Sequence, residues 1–401
     1  MIQVNAPVLV TGIGVVSPLS PDGDRERFWS SLCAGACAVR EIRSFDASPY
    51  SSRVAAEIDR SAIGDGTDPA RWMAELAFRQ ALADAGFSPG KAAECSARTG
   101  LVVGTVLGGI HSGLRHLAGN GSEQGASPLK GYPLRAVADG LAREAGIEGP
   151  VLTVSTACAS GSDAIGIAAR WIARGEVDAA VAGGVDALCE FSFSGFHALK
   201  ALTQDLVRPF SRNRTGLALG DGAAFLVLER AAFARARGAR SYGAVAGYAA
   251  LADAVHLTAP DREGRGLSGS ITACLRDAGL PPDAVDYVNA HGTGTLYNDW
   301  MECKAIERAI GGRGRALPVS SIKGAIGHTF GAAGAIEAAA CLLAIRDGLL
   351  PPTLHHDEED PGCDIDCVPD KARPAKVRAA LSLSAGFGGQ NAALLLLGDA
   401  P

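Results

Sequence analysis

Residues 151–173, VLTVSTACASGSDAIGIAARWIA, pass from an apolar strand through a turn of small residues into a helix that is apolar on almost every side. Such a helix has no solvent face and must be buried. The unit has an echo. Residues 316–345, ALPVSSIKGAIGHTFGAAGAIEAAACLLAI, again run strand, small-residue turn and apolar helix, with a longer loop. RTGLVVGTV at 98–106 has a counterpart in DYVNAHGTGT at 286–295, and AAFLVLER at 223–230 in NAALLLLGD at 391–399. Apolar β-like runs alternate with Ala-rich helical runs throughout, which predicts an α/β protein with buried sheets. The echo predicts two similar halves, 1–240 and 241–401, packed so that their turns meet near one centre.

The bulk numbers exclude several classes. A net charge of −6 with scattered Arg and Lys leaves no basic footprint for nucleic acid. No apolar run reaches the roughly 18 residues a membrane span needs. MIQVNAPVLVTGIGVVSP lacks a basic leader and reads as a strand and Gly turn, so a cytoplasmic location is expected. The ten cysteines are then expected to stay reduced. Cys33/Cys37 and Cys363/Cys367, with His355-His356 upstream of the second pair, have poor metal-ligand spacing, and no metal is expected.

Three turns carry chemistry. Cys158 sits among Ala157, Ala159, Ser160 and Gly161 at a helix N-terminus. That setting favours thiolate and predicts a lowered pKa, although a lone Cys is equally at home in a core. In NAHGTGTLYNDWMECKAI, His291 enters a Gly/Thr loop, Thr293 and Thr295 offer hydroxyls, and Asp299 and Glu302 open the next helix. Alone this is also an ordinary structural turn. In SSIKGAIGHTFGAAGAIEAA, Lys323 and His328 precede an apolar helix whose Gly327, Gly331 and Gly334 suggest close packing. The loop lacks the order of a phosphate-binding loop. A fourth element, SAGFGGQN at 384–391, places Phe387 among glycines, as a pocket-lining aromatic or an ordinary turn. A thiolate with two neutral imidazoles, each donating one N–H to an oxygen, suits enolate formation from a thioester by loss of CO2.

Cys158 in STACASG, His291 in HGTGT, Lys323 and His328 in KxxxGH, and GFGG at 386–389, in that order, resemble the condensing enzymes. These are the elongating β-ketoacyl-[acyl-carrier-protein] synthases and type II polyketide ketosynthases. The likeness covers nearly the whole chain, including VTGIGVVSP and RPFSRNRTGLALGDGAAFLVLE. It implies a thiolase-like fold, two duplicated halves in a five-layered αβαβα arrangement, and a dimer, either with an identical chain or with a related subunit. It implies that Cys158 accepts an acyl chain from an acyl carrier protein. His291 and His328 would stabilise the enolate, Lys323 paired with Glu302 would support the electrostatics, and Asp299 and Glu337 would assist. Backbone N–H groups of Cys158 and Phe387 would form an oxyanion hole. Thr293 and Thr295 would bind the phosphopantetheine arm, and Phe387 would gate the pocket. No resident cofactor is implied, because substrates arrive on the carrier's phosphopantetheine. Carrier proteins are acidic, so Arg71, Lys130, Lys200, Arg208 and Arg212 are docking candidates.

The chain departs from the housekeeping pattern near the pocket. Leu296 follows HGTGT where Pro is usual, and Gly294 replaces Ser. Leu383-Ser384-Ala385 stands where Asn-Ser-Phe is typical, Gln390 replaces Thr, and the segment 203–208 is shorter. These changes point to unusual acyl chains, in polyketide or polyene synthesis, ahead of housekeeping fatty acid elongation. Cys158 speaks against a non-catalytic chain-length-factor partner. GFGG in place of a second Cys speaks against a thiolase, and two histidines against an initiating synthase.

Overall fold

The structure, a computed structural model, describes residues 7–64, 66–87, 98–119, 128–311 and 316–398. Cys95 lies outside the described residues. Ten strands form one continuous sheet. Five belong to the first half: β1 (Val8–Val16), β2 (Thr99–Gly104), β3 (Val151–Val154), β4 (Ala179–Asp186) and β5 (Gly222–Arg230). Five belong to the second: β6 (Gly243–Ala252), β7 (Tyr287–Asn289), β8 (Val319–Ser320), β9 (Ala379–Gly386) and β10 (Gln390–Leu397).

The echo in sequence is a duplication in space. The strand order is β3-β2-β4-β5-β1 in the first half and β8-β7-β9-β10-β6 in the second. Counted along each half, both orders are the same. The directions also agree. β2 runs parallel to β3 and β4, as β7 does to β8 and β9. The remaining pairs within each half are antiparallel. The halves join where β1 meets β6, with Val8 opposite Val245.

Eight helices place the site. They are α1 (Pro69–Asp84), α2 (Arg135–Ala145), α3 (Ser160–Ala173), α4 (Glu190–Ala198), α5 (Arg265–Ala278), α6 (Leu296–Ile310), α7 (Lys323–Ile326) and α8 (Ala333–Asp347). Strand residues alternate between two buried faces, as the period of two requires. In β5, Phe225 and Val227 face Met73 and Phe78 of α1 and Leu141 of α2. Its Leu226 and Leu228 join Ile165 of α3 and Ile336 of α8 in a second core, which also takes in Ala380 and Leu394 of the other half. Leu267 and Ile271 of α5 and Met301 and Ile306 of α6 cover the far face of β7, β9 and β10. The layers are therefore helices, the first half of the sheet, helices, its second half, and helices, the αβαβα arrangement expected.

The two central helices approach closely because glycines remove the obstacle. A Cβ on Gly161 would lie 2.7 Å from the Gly331 carbonyl oxygen, and one on Gly334 would lie 2.2 Å from Ser162 Oγ. The Gly spacing before α8 is thus a packing device, and it draws the turn before α3 toward the turn before α8. Residues 333–344 of α8 are all buried, as a helix apolar on every side must be. No helix among the described residues is long and apolar enough to cross a membrane.

Candidate active site

Cys158 lies in the turn between β3 and α3. The turn is tight enough to hold Ala157 at φ +51°, a left-handed conformation that costs a non-glycine residue of the order of 1 kcal/mol. It delivers the thiol to a cavity of about 550 Å³ that His291, His328, Thr293, Thr295 and Phe387 also line. The thiol sulfur and a nitrogen of each imidazole lie within 4.8 Å of one another. The two rings stand edge to face, 5.1 Å between centroids at 85°. Residues 158, 291 and 328 therefore share one centre.

His291 leaves β7 into the HGTGT loop. Glu302, on α6, accepts the backbone N–H of His291 at 2.7 Å and of Gly292 at 2.6 Å. Asp299 accepts the Gly294 N–H at 3.2 Å and the Phe210 N–H at 2.8 Å. Gly294 holds φ +75° where a Cβ would meet the Gly216 carbonyl oxygen at 3.0 Å. The two carboxylates thus shape the loop, and Glu302 does not pair with Lys323. That expectation is corrected: Lys323 Nζ forms its ion pair with Glu337 of α8, both side chains being 2% exposed. Lys323 also lies 3.2 Å from His291 Nδ1.

These contacts fix both tautomers. An ammonium only donates, so His291 Nδ1 accepts and its proton sits on Nε2. His328 Nδ1 accepts the Phe330 N–H at 3.0 Å, which leaves its proton on Nε2 as well. Burial and the Lys323 charge push both imidazoles well below their ordinary pKa, so both are neutral. The backbone at His328 is clamped to 218–220: its N–H reaches the Ala218 carbonyl at 2.7 Å and its carbonyl accepts the Gly220 N–H at 2.9 Å. Each ring is thus left with an N–H to present. A metal ion would require a lone pair there instead.

The expected lowering of the Cys158 pKa is also corrected. Burial is the largest influence and pushes the thiol up to about 11, outweighing the Lys323 charge and the Phe387 N–H, which pull it down. The resting group is the thiol. A raised pKa means that thiolate accumulates only as pH climbs toward that value. Alkylation of Cys158 by iodoacetamide is accordingly expected to accelerate about tenfold per pH unit above neutrality and to level off only near the pKa. A plateau reached by about pH 8 would contradict it.

Phe387 caps the cavity between β9 and β10. Its backbone N–H acts on the Cys158 thiol and favours the thiolate. A Cβ on Gly386 would lie 2.9 Å from the Cys158 nitrogen, so the two backbones are in direct contact. The Phe387 ring stacks on Phe196 of α4 at 5.4 Å and 22°. Phe196 in turn meets Phe330 edge-on at 5.9 Å, and Phe330 lies 6.0 Å from the His328 ring. Phe196 and Phe330 carry no motif in the sequence and were not among the expected residues.

The docking candidates do not gather as one patch on the cavity. Lys200 is exposed and lines it. Arg71 and Lys130 are exposed but not part of its lining, nor is exposed Arg212, and Arg71 is engaged by Glu75 at 2.7 Å. Arg208 is corrected: its side chain is only 14% exposed, and Asp205 at 2.9 Å and Asp357 at 3.0 Å neutralise it. Arg214, not expected, does line the cavity, buried between Asp299 and Asp360 and donating to the Leu296 carbonyl at 3.1 Å.

Comparison with known proteins gives the family. Residues 5–234 match the beta-ketoacyl synthase N-terminal domain and residues 242–357 the beta-ketoacyl synthase C-terminal domain. The tetracenomycin polyketide synthase ketoacyl synthase alpha subunit of Streptomyces glaucescens is 41% identical over 97% of this chain and 96% of its own. A 3-oxoacyl-[acyl-carrier-protein] synthase 2 of Rhizobium meliloti is 38% identical over 97% and 98%. Among solved structures, the ishigamide ketosynthase/chain length factor superposes with a TM-score of 0.90 at 35% identity, covering 99% of this chain and 100% of that one. A type II PKS acyl-carrier protein in complex with its ketosynthase bound to the hexaketide gives 0.90 at 28%, with 99% and 100% covered. Two domain matches in chain order and relatives aligned from end to end leave one assignment: the chain belongs to the beta-ketoacyl synthase family and is an acyltransferase.

Proposed function

We propose that the protein is a 3-oxoacyl-[acyl-carrier-protein] synthase whose chemistry runs through Cys158, His291 and His328. An acyl group passes from a carrier's phosphopantetheine thioester to Cys158 Sγ, and the carrier thiol leaves with the cysteine proton. The N–H groups of Cys158 and Phe387 receive the oxyanion of that transfer. A malonyl thioester then enters past Thr293 and Thr295, which hydrogen-bond to each other at 2.8 Å. The Nε2–H groups of His291 and His328 converge on its thioester oxygen. Loss of CO2 leaves an enolate, and its α-carbon attacks the acyl carbonyl on Cys158. The new carbon–carbon bond forms, the bond to sulfur breaks, and the released Cys158 thiolate takes a proton from water to return to the thiol. The observation that carries this reading is two neutral imidazoles, both tautomers fixed as Nε2–H donors, beside one buried thiol.

Lys323 is a positioning residue in this scheme. It holds the His291 tautomer and is itself held by Glu337. Phe387 acts as the gate, with Phe196 as the surface it leaves when it moves.

The polyketide reading is favoured over housekeeping elongation by Ala385, a small residue in the cavity lining, and by the ketoacyl synthase alpha subunits among the relatives. Likeness to 3-oxoacyl-[acyl-carrier-protein] synthase 2 keeps the housekeeping reading as the alternative. An acidic acyl carrier protein is the partner, met at Lys200, and the second subunit is a ketosynthase-like chain, as in the ketosynthase/chain length factor pairs. Nine free thiols among the described residues suit the cytoplasm.

Intact-mass analysis with a panel of acyl carriers tests the assignment. Acyl groups are expected to load on Cys158, with longer or unsaturated chains preferred, and malonyl carrier to extend them. Loading of saturated chains alone would favour the housekeeping alternative. Absence of loading on Cys158 would end the catalytic assignment. Charge reversal of Lys200 to Glu is expected to weaken carrier binding about tenfold at low salt, measured by titration calorimetry. An unchanged affinity would remove this contact.

A further inference from the structure

Asp186, the last residue of β4, carries a fully buried carboxylate to which the scheme above gives no part. Its Oδ1 accepts the Thr105 hydroxyl and the Leu107 N–H, each at 2.8 Å. Its Oδ2 accepts the Val106 N–H at 2.9 Å and the Gly331 N–H at 2.7 Å. An ionised carboxylate offers about four lone-pair positions, so all are filled, and only the anion can receive four donors at once. Burial pushes the Asp186 carboxyl up to about 6 and the four donors pull it back, which leaves it charged at neutral pH.

Three of these contacts close on the turn that follows β2, the strand beside β4 in the first half. The fourth crosses to the second half. Gly331 stands three residues after His328, in the turn before α8. Between them Phe330 holds φ +49°, a left-handed backbone that a non-glycine residue keeps only where its surroundings impose it. Two successive N–H groups impose it here. That of Phe330 donates to His328 Nδ1 at 3.0 Å, and that of Gly331 donates to Asp186. The Gly331 carbonyl is enclosed as well, since a Cβ on Gly161 or on Gly184 would lie 2.7 or 2.4 Å from its oxygen. The peptide that sets the His328 ring is therefore anchored, through one charged acceptor, to the sheet of the opposite half.

We propose that Asp186 is a positioning residue for decarboxylation: its carboxylate fixes the Phe330–Gly331 segment, and through the Phe330 N–H it aims the His328 Nε2–H at the malonyl thioester oxygen. The inference rests on the role given to His328 above. Acyl loading does not draw on this chain of contacts, because it uses the thiol and the N–H groups of Cys158 and Phe387. Asparagine at 186 matches aspartate in shape but not in bonding. Its NH2 group must face the Leu107 N–H on one side or the Val106 and Gly331 N–H groups on the other, and the charge that strengthens the Gly331 bond is gone.

The test measures carbon dioxide release from malonyl carrier beside acyl loading of Cys158, for Asp186→Asn alone and combined with His328→Ala. Asp186→Asn is expected to lower carbon dioxide release about tenfold with loading within a few-fold of wild type, and to cause no further loss once His328 is absent. Unchanged release in the folded variant, an equal fall in both steps, or an undiminished effect in the His328→Ala background would each overturn the proposal. If His328→Ala alone leaves release intact, the role of His328 itself fails and the proposal fails with it. Where Asp186→Asn does not fold, Asp186→Ala removes the acceptor without installing a donor and carries the same comparison. Loss of folding in both would assign Asp186 to the fold alone.

Discussion

His328→Ala is expected to lower malonyl decarboxylation by about 10²–10³-fold while leaving acyl loading of Cys158 within a few-fold of wild type. The reason is a division of labour. Loading uses the thiol and the N–H groups of Cys158 and Phe387. Decarboxylation uses the two imidazole N–H groups, because that is where negative charge develops on the malonyl thioester oxygen. Each imidazole is aimed by a contact on the other side of its ring: Lys323 for His291, and the Phe330 N–H for His328. His291→Ala is expected to match the effect, and the double variant to lose less than the product of the two, since one donor alone cannot hold the enolate. Carbon dioxide release from malonyl carrier, measured beside intact-mass loading, separates the two steps. Loss of loading in His328→Ala with decarboxylation intact would reverse the assignment of roles.

Much of this site was legible in the sequence because its geometry is built from backbone rules. Small residues around Cys158, Gly spacing before the second apolar helix, and an echo between halves together imply that two turns converge, and they do. What the sequence could not decide was which carboxylate meets Lys323. Glu302 and Glu337 both lie on the helices that follow the chemical turns. Only the fold, which sets the Glu337 carboxylate against Lys323 Nζ, selects Glu337, and only the HGTGT loop's N–H groups claim Glu302. The Cys158 pKa failed for a related reason. A helix N-terminus is visible in sequence, whereas the water excluded around the thiol depends on side chains far along the chain. Arg208 shows the same limit, since its second carboxylate, Asp357, lies 149 residues away.

Lys323→Ala is expected to cost about 3–5 kcal/mol of stability, because it strands Glu337 in the core without its cation. Glu337 is already displaced upward, to about 7, by burial, with Lys323 pulling it back. Removing Lys323 lifts it further. A carboxyl whose folded pKa exceeds its unfolded one keeps its proton more tightly in the folded state, so its penalty grows as pH rises above the unfolded value near 4.5. In the wild type that growth ends near pH 7, and in Lys323→Ala it continues beyond. The stability gap between the two proteins should therefore widen as pH rises above about 7 and stay level between about pH 5 and 7, as read by urea denaturation at several pH values. Adding Glu337→Gln removes the buried charge and should restore much of the lost stability. It should not restore condensation, because His291 Nδ1 still lacks the ammonium that fixes its tautomer. Recovery of both properties together would mean that Lys323 serves the fold alone, and recovery of neither would mean that Glu337 is not the group it neutralises.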